Sequence, residues 1–531
     1  MSAPLPTQRD DLIRRLADRT QYDMAIVGGG ATGLGVALDA ANRGLKVVLL
    51  ESHDFAKGTS SRATKLLHGG VRYLAQGNIS LVYEALHERT TLLRNAPHLA
   101  QPLAFVMPSY TWWETPFYGI GLVLYDLLAG KAGLGKTRFL GRDAALAALP
   151  GVNPMGLMGG VKYWDGQFDD ARLAITLAKT AAQAGALLVN YCQVDELQYS
   201  VGKVSGLRCQ DTETGQSIAV HARCVINATG VWVDALRHKD GEVTVAAGGQ
   251  PVRDMVAPSQ GVHLVVDAEF LGSDAALMVP RTADGRVLFA VPWLGKVILG
   301  TTDTPRHDLA REPLPFKDEV DFILKEAGRY LRKNPTRADV RSIWVGLRPL
   351  VKPQDDDGAT TKGLSREHTV LMSRSGLVTV TGGKWTTYRA MAEDVMQRCI
   401  RGGLVPAGRA VDTASVHLSG YEVNHKAVSM SQAQGLHAYG AEQELVLKLP
   451  GANRELAPGL TEAMVRYAAL HEYARTVEDV LARRHRVLFL DARLAASLAP
   501  EIGRLLGEIT GQDPKVEEFI ALTTQYLHWP E

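Results

Sequence analysis

The sequence predicts an α/β fold, α+β over the whole chain, in which a Rossmann-like part is joined to a mixed β-sheet domain and a C-terminal all-α domain. Three observations carry this. An apolar strand, a glycine turn, an alanine-rich helix and a second strand follow one another from Tyr22 to Glu51. Short apolar runs separated by turn residues fill the stretch from about Val231 to Val345. From Leu445 to Tyr526 the pattern is helical.

Taken in order, Tyr22–Val27 reads as a buried strand, Gly28–Gly33 as a turn, Leu34–Arg43 as a helix and Lys46–Leu50 as a strand ending at Glu51. The stretch from about Ser80 to Asp170 mixes helical pattern with many aromatics. Ala171–Ala184 then predicts a helix and Ala186–Val194 a single strand. Val204–Gln210 and Ser217–His221 predict a hairpin about Thr214–Gly215, and Cys224–Ala228 a separate apolar strand. Further strands are expected at His263–Val266, Ala276–Val279, Val287–Val291 and Lys296–Leu299, with a helix over Pro313–Arg332. Leu377–Thr381 predicts a strand running into Gly382–Gly383 and a helix from about Thr386 to Ile400. Arg401 to about Glu442, rich in Gly, Ser, His and Ala, reads as a loosely packed linker. Helices follow at Thr461–Tyr467, Val477–Arg484 and Ala492–Ile509.

Composition narrows the function. With 531 residues, 58 Lys+Arg against 57 Asp+Glu and a net charge of +1, the chain lacks the basic excess of a nucleic-acid binder. Its four cysteines (Cys192, Cys209, Cys224, Cys399) form no C-x-x-C pair. Neither a disulfide framework nor a metal site is expected, and a reducing compartment is. The stretch up to Gln21 lacks the apolar core of a signal peptide. The longest apolar run, Phe117 to Gly130, is interrupted by Asp126 and is too short to cross a bilayer.

Gly28-Gly29-Gly30-Ala31-Thr32-Gly33 fits G-x-G-x-x-G between strand and helix. Gly28 permits the tight turn, Gly30 lets the backbone approach a pyrophosphate, and Gly33 lets helix and sheet pack closely. The phosphates meet free N–H groups at the helix N-terminus. Glu51 stands where a ribose would donate to it, and its charge disfavours a 2′-phosphate. These features leave NAD and FAD open. Two later ones favour FAD: the strand ending Ala228-Thr229-Gly230, and the glycine turn Gly382-Gly383 before a helix start that includes Thr386. A helix end there can steady negative charge on a reduced isoalloxazine. Between them, Thr59, Ser60, Ser61, Lys65, His68 and Gly69 offer hydroxyls, cations and close backbone approach to the same cofactor.

The run T-S-S-R-x-x-K-L-L-H-G-G-x-R-Y-L (Thr59–Leu74) carries a more specific likeness. Together with G-T-T-D (Gly300–Asp303), G-L-R-P-L (Gly346–Leu350) and G-G-K-W-T-T-Y-R (Gly382–Arg389), it resembles the flavin-dependent, respiratory glycerol-3-phosphate dehydrogenases of the D-amino-acid-oxidase-like superfamily. The likeness runs from about Tyr22 to Ile400, and the helical tail looks like that family's C-terminal domain. It implies oxidation of sn-glycerol 3-phosphate at C2 to dihydroxyacetone phosphate, reduction of FAD, and transfer of electrons to a membrane quinone. It also implies Arg72, Tyr73, Thr301 and Arg366 around the substrate phosphate and hydroxyls, with Arg348 and Lys384 beside the reacting carbon. His263 is the natural base for the C2 hydroxyl, while Arg348 suits developing alkoxide charge. The residues leave open which acts.

The expected division is 20–78, 172–233 and 346–400 for FAD, 79–171 and 234–345 for substrate, and 401–531 for linker and helices. Tyr110–Tyr118 and the apolar Gly119–Leu128 after it are the membrane candidate: composition alone favours a packed substrate-domain helix, and the resemblance implies contact with a lipid surface. No Lys or Arg lies between Arg94 and Lys131, so aromatic and apolar anchoring is expected there. The resemblance implies a cytoplasmic protein, peripheral on the inner face of the membrane, and a possible homodimer. Arg483-Arg484-His485-Arg486 reads as a solvated charge cluster at a helix end, with no catalytic part. An oxidase passing electrons to oxygen, an amine or amino-acid oxidase, and a non-catalytic membrane-associated flavoprotein are the competing readings.

Overall fold

The structure is a computed structural model and describes residues 7–70, 78–246, 251–282, 285–352 and 367–530. Two large sheets organise it. The first has eight strands, six of them in the order His368–Met372, Val378–Gly382, Ser217–Asn227, Gln21–Val27, Val47–Leu50, Leu187–Val189. Its centre is parallel. Parallel strands are covered on both faces and read as continuous apolar runs, and Met24, Ala25 and Ile26 are accordingly fully buried. The helices Ala31–Asn42, Asp170–Gln183 and Tyr388–Arg401 provide cover. Helix Ala31–Asn42 approaches Tyr388–Arg401 so closely that a Cβ on Gly35 would stand 2.9 Å from the Tyr388 ring.

Register decides where the site forms. Val27 pairs with Leu50 and with Asn227, and Asn227 with Thr379. Gln21–Val27, Val47–Leu50 and Ser217–Asn227 therefore end level, Val378–Gly382 runs on past them, and the turns at Gly28, Ala228 and Gly382 open on one edge. In open α/β sheets, ligands bind at that carboxyl edge.

The second sheet has ten strands and is mostly antiparallel, running from Thr304–Pro305 through Val256–Asp267 and Ala100–Ser109 to Leu66–Leu67. Strand Ser342–Val351 lies against Val256–Asp267 from Val265↔Ser342 to Val256↔Val351. It reaches the first sheet's loops, where Thr59 Oγ1 donates to the Leu347 carbonyl oxygen at 2.7 Å. The C-terminal helices Glu462–His471, Ala492–Thr510 and Val516–Gln525 share a core with this sheet through Trp344, Phe489 and Tyr526. Asp491 caps Ala492–Thr510 by accepting from the Leu494 N–H at 3.0 Å, and Gly511, at φ 67°, ends it.

Several sequence expectations change. Ala186–Val194 is two strands, Leu187–Val189 and Cys192–Ser200, because Tyr191 turns the chain at φ 51° and buries its hydroxyl against Asp479 at 2.6 Å. Ser217–His221 and Cys224–Ala228 are one strand, Ser217–Asn227. Its burial alternates as far as Arg223 and is continuous from Cys224 to Asn227, within the parallel pairing to Gln21–Val27. The helix expected from Pro313 starts at Lys317, where Glu319 accepts from the Phe316 N–H at 3.0 Å. Residues 401–442 are irregular but packed: the Leu418 N–H donates to Asn95, that of Ser419 to Thr180 Oγ1, and the Met430 carbonyl accepts from Leu294. This segment straps both sheets together. Arg483, Arg484, His485 and Arg486 are buried, not solvated. Asp54 pairs with the first two, Glu478 takes a further Arg483 hydrogen bond at 2.6 Å, and the Ser61 carbonyl accepts from Arg486 Nη2 at 2.7 Å.

Candidate functional site

At the level ends of the parallel strands lies a crevice of about 340 Å³. Gly28, Gly30, Glu51, Thr59, Ser60, Ala228, Gly230, Gly382 and Gly383 all line it, as does Lys384. The glycine turn admits no side chain where it matters. A Cβ on Gly28 (φ 110°) would meet the Ala228 carbonyl oxygen at 2.5 Å, and one on Gly33 would meet that of Gly28 at 2.0 Å. Gly30 is the N-cap of Ala31–Asn42 and carries no capping side chain, which suits a helix N-terminus facing an anion. Glu51 accepts from the Gly29 N–H at 2.7 Å and the His53 N–H at 2.9 Å, so the acid that faces the crevice also braces the turn. Ser60 Oγ accepts from the Ala31 N–H at 2.9 Å, and its carbonyl from Trp385 Nε1 at 2.9 Å.

Six expected cofactor residues stand off this wall: Gly33, which packs under the turn, and Ser61, Lys65, His68, Gly69 and Thr386. Ser61 turns inward and donates to the Ala56 carbonyl at 2.7 Å. Lys65 is fully buried, with Nζ 2.6 Å from Asp170 Oδ2, 2.7 Å from the Ser61 carbonyl and 4.6 Å from the Trp344 ring. Burial pulls its pKa down to about 7, Asp170 opposing and Arg486 adding to the pull. Its expected place at the cofactor is corrected because Asp170 and the aromatic rings draw it into the interior. Gly69 is needed for packing, since a Cβ there would stand 2.4 Å from the Tyr125 hydroxyl. Thr386 is buried in the turn Trp385–Thr387.

A second group lies beside the crevice at the end marked by Pro349 and Gly382–Lys384. In paired antiparallel strands alternate residues share a face. The pairs Ser259↔Arg348, Gly261↔Gly346 and His263↔Trp344 therefore put Ser259, His263, Trp344 and Arg348 on one side. That side faces the 59–65 loop: a Cβ on Gly346 would strike the Arg62 carbonyl at 2.6 Å. Arg348 donates through Nη2 to Thr301 Oγ1 at 3.2 Å and through Nη1 to the Gln260 carbonyl at 3.2 Å, with Asp303 at 3.4 Å. His263 Nε2 meets Thr64 Oγ1 at 3.0 Å, and its ring stacks on Trp344 at 4.0 Å and 17°. Burial, then the Arg348 charge, then that of Lys65 push its pKa well below the usual imidazole value, so the ring is neutral. Gly261 and Gly300 keep the space open. Cβ atoms there would stand 2.4 Å from Arg348 Nη2 and 2.6 Å from the His263 ring.

The structure thus gathers His263, Thr301 and Arg348, and sets Lys384 on the adjoining crevice wall. Arg72, Tyr73 and Arg366 lie outside the described residues. Thr64, Gln260 and Trp344 were missed. The His–Trp stack and the Thr64 contact arise from pairings across long stretches of chain, which a linear pattern does not carry. Asp303 sat within a quoted motif without a role.

The aromatic segment forms the helix Glu114–Ala129. Gly119, Leu122, Tyr125 and Ala129 face inward, while Phe117 (64% exposed), Ile120 (71%) and Leu127 (72%) face solvent beside Trp112 (77%). Among the described residues no helix is long and apolar enough to cross a membrane.

Comparison with known proteins follows this geometry. Residues 23–389 match the family of FAD dependent oxidoreductases, and residues 377–517 match the C-terminal domain of alpha-glycerophosphate oxidase. The mitochondrial glycerol-3-phosphate dehydrogenase of Bos taurus is 39% identical, over 99% of this chain and 75% of its own length. That of Schizosaccharomyces pombe is 37% identical over 97% and 88%. The glycerol-3-phosphate dehydrogenase from Bacillus halodurans, solved with FAD, superposes with a TM-score of 0.76 at 28% identity, covering 98% of each chain. A glycine turn that excludes side chains, a helix N-terminus facing the crevice and an acid at the end of the second strand fit FAD. The chain is an FAD-dependent oxidoreductase and belongs to the glycerol-3-phosphate dehydrogenase family of D-amino-acid-oxidase-like flavoproteins.

Proposed function

We propose that the enzyme oxidises sn-glycerol 3-phosphate at C2 to dihydroxyacetone phosphate and passes the electrons to a quinone in the membrane. The observation that carries this reading is the shared strand face that sets a neutral imidazole and an arginine together beside the Gly382–Lys384 end of the crevice. Bound FAD supplies the hydride acceptor. His263, held at Nε2 by Thr64 and across its face by the Trp344 ring, is the proton acceptor for the C2 hydroxyl, a role that needs the imidazole uncharged and the Thr64 hydrogen bond given up as the proton arrives. Arg348, oriented by Thr301 and Gln260, stabilises the developing alkoxide charge, and its fixed position lowers the cost of reorganisation. Lys384 adds positive charge at the flavin end. Arg72, Tyr73, Thr301 and Arg366 hold the phosphate and hydroxyls, for which a guanidinium fork is the better donor.

The outward face of Glu114–Ala129 supports attachment to the inner face of the cytoplasmic membrane, where a lipid-dissolved quinone is within reach. Two assays test the proposal. In anaerobic titration, glycerol 3-phosphate bleaches the flavin, whereas glycerol and lactate do not. With a quinone analogue the reduced enzyme reoxidises without peroxide. Peroxide formation in air with no quinone reduction would overturn the dehydrogenase reading in favour of an oxidase.

A further inference from the structure

The loop between strand Thr304–Pro305 and helix Lys317–Tyr330 belongs in sequence to the second sheet, yet it crosses to the mouth of the cofactor crevice. Two contacts pin it there. Trp232 Nε1 donates to the Leu309 carbonyl oxygen at 3.0 Å. Glu312 accepts from Arg62 Nη2 at 2.6 and 2.7 Å and pairs with Lys57 at 2.9 Å. Between these pins Arg311 is exposed and lays its guanidinium over the Trp232 ring, with Cζ 3.9 Å from the centroid.

Arg311 lines the crevice, and Glu51 is the carboxylate whose charge acts on it. Two other cations of the lining, Lys57 and Lys239, are engaged elsewhere. Lys57 pairs with Glu312 and Glu478, and Lys239 Nζ donates to the Asp195 carbonyl at 2.7 Å. The contact Arg311 makes is with a ring face, and stacking on an aromatic ring leaves the in-plane N–H donors of a guanidinium unused by that contact. The glycine turn offers a diphosphate only backbone N–H groups and a helix dipole. A full positive charge at that end of the crevice would add to them, and Arg311 brings one from another element.

We propose that Arg311 is a cofactor-holding residue: its guanidinium, set on the Trp232 face, grips the adenosine diphosphate half of FAD. No part of the glycine fingerprint assigns it, because it arrives on a loop of the other sheet. Cofactor retention is thereby tied to the sheet that carries His263 and Arg348.

The test is reconstitution of apoprotein with FAD, followed by quenching of flavin fluorescence, together with the rate of FAD loss from holoenzyme. Arg311→Ala is expected to raise the FAD Kd about tenfold and to speed FAD release by a similar factor. ADP, used as a competitor of reconstitution, should lose affinity by the same factor. Arg311→Lys should restore only part, since an ammonium lacks the planar fork. The melting temperature of the apoprotein should not move, because the side chain is exposed. An FAD Kd within about twofold of wild type, an ADP affinity left unchanged, or a matched fall in apoprotein melting would each overturn the proposal.

Discussion

His263 illustrates how one side chain is tuned by its neighbours. Buried, stacked on Trp344 and facing two cations, it stays neutral well below the pH at which a free imidazole charges. Its protonation therefore does not limit turnover near pH 6, and the pH–rate profile should stay flat through the usual imidazole range. Replacing it by Asn should lower kcat by about 10²–10⁴-fold, the usual worth of a positioned proton acceptor. Anaerobic stopped-flow reduction by glycerol 3-phosphate measures this, and an unchanged rate would remove His263 from the chemistry. Arg348→Lys should lose nearly as much as Arg348→Ala, because one ammonium cannot serve Gln260 and Thr301 with fixed planar geometry. At this scale the sequence was informative where a residue sits in a short motif, as Arg348 and Lys384 do. It misled at Lys65, whose motif position says nothing of Asp170, a residue that only folding brings within 2.6 Å.

Elements were legible where one environment covers their whole length. Ala276–Val279, a short buried strand, is such a case. Ala186–Val194 is not, because the corner at Asn190–Tyr191 spends its polar groups on buried partners, Asp54 and Asp479, and holds no glycine or proline to mark it. Helix Glu114–Ala129 shows the same limit from the other side. Apolar residues all round announce burial on both faces, yet only the Gly119–Tyr125 side is covered. Ile120→Glu combined with Leu127→Glu should abolish co-sedimentation with lipid vesicles while leaving flavin reduction by glycerol 3-phosphate intact. Vesicle binding by the wild type should change little between low and high salt, as the helix carries no Lys or Arg. A steep salt dependence would point to a basic surface elsewhere.

Across the whole molecule, buried titratable groups set the response to acid. Burial, with Arg172 and other cations adding, holds His98 near a pKa of about 3; burial likewise holds His485 near about 4. Both native values lie below the unfolded value of about 6.5. As pH falls below about 6.5 the unfolded chain binds protons that the native state refuses, so stability drops. By pH 5 the loss is about 2 kcal/mol for each such histidine. Thermal melting at pH 7 and pH 5 should show a clear fall, and His98→Gln, if it folds, should blunt it. The division of the chain into two sheets and a helical tail could be foreseen from pattern alone. Their joints could not, because they are made of charges such as Asp54 with Arg483 and Arg484, far apart in the chain.

One carbonyl, that of Ser61, receives both Lys65 and Arg486. The last quarter of the polypeptide is thus stitched into the floor beneath the flavin's berth. A gene fragment stopping near residue 400 would leave Asp54 bereft of its two guanidinium counter-ions and Asp170 of one. Such a fragment should emerge colourless from purification, without the flavin absorbance of the full chain.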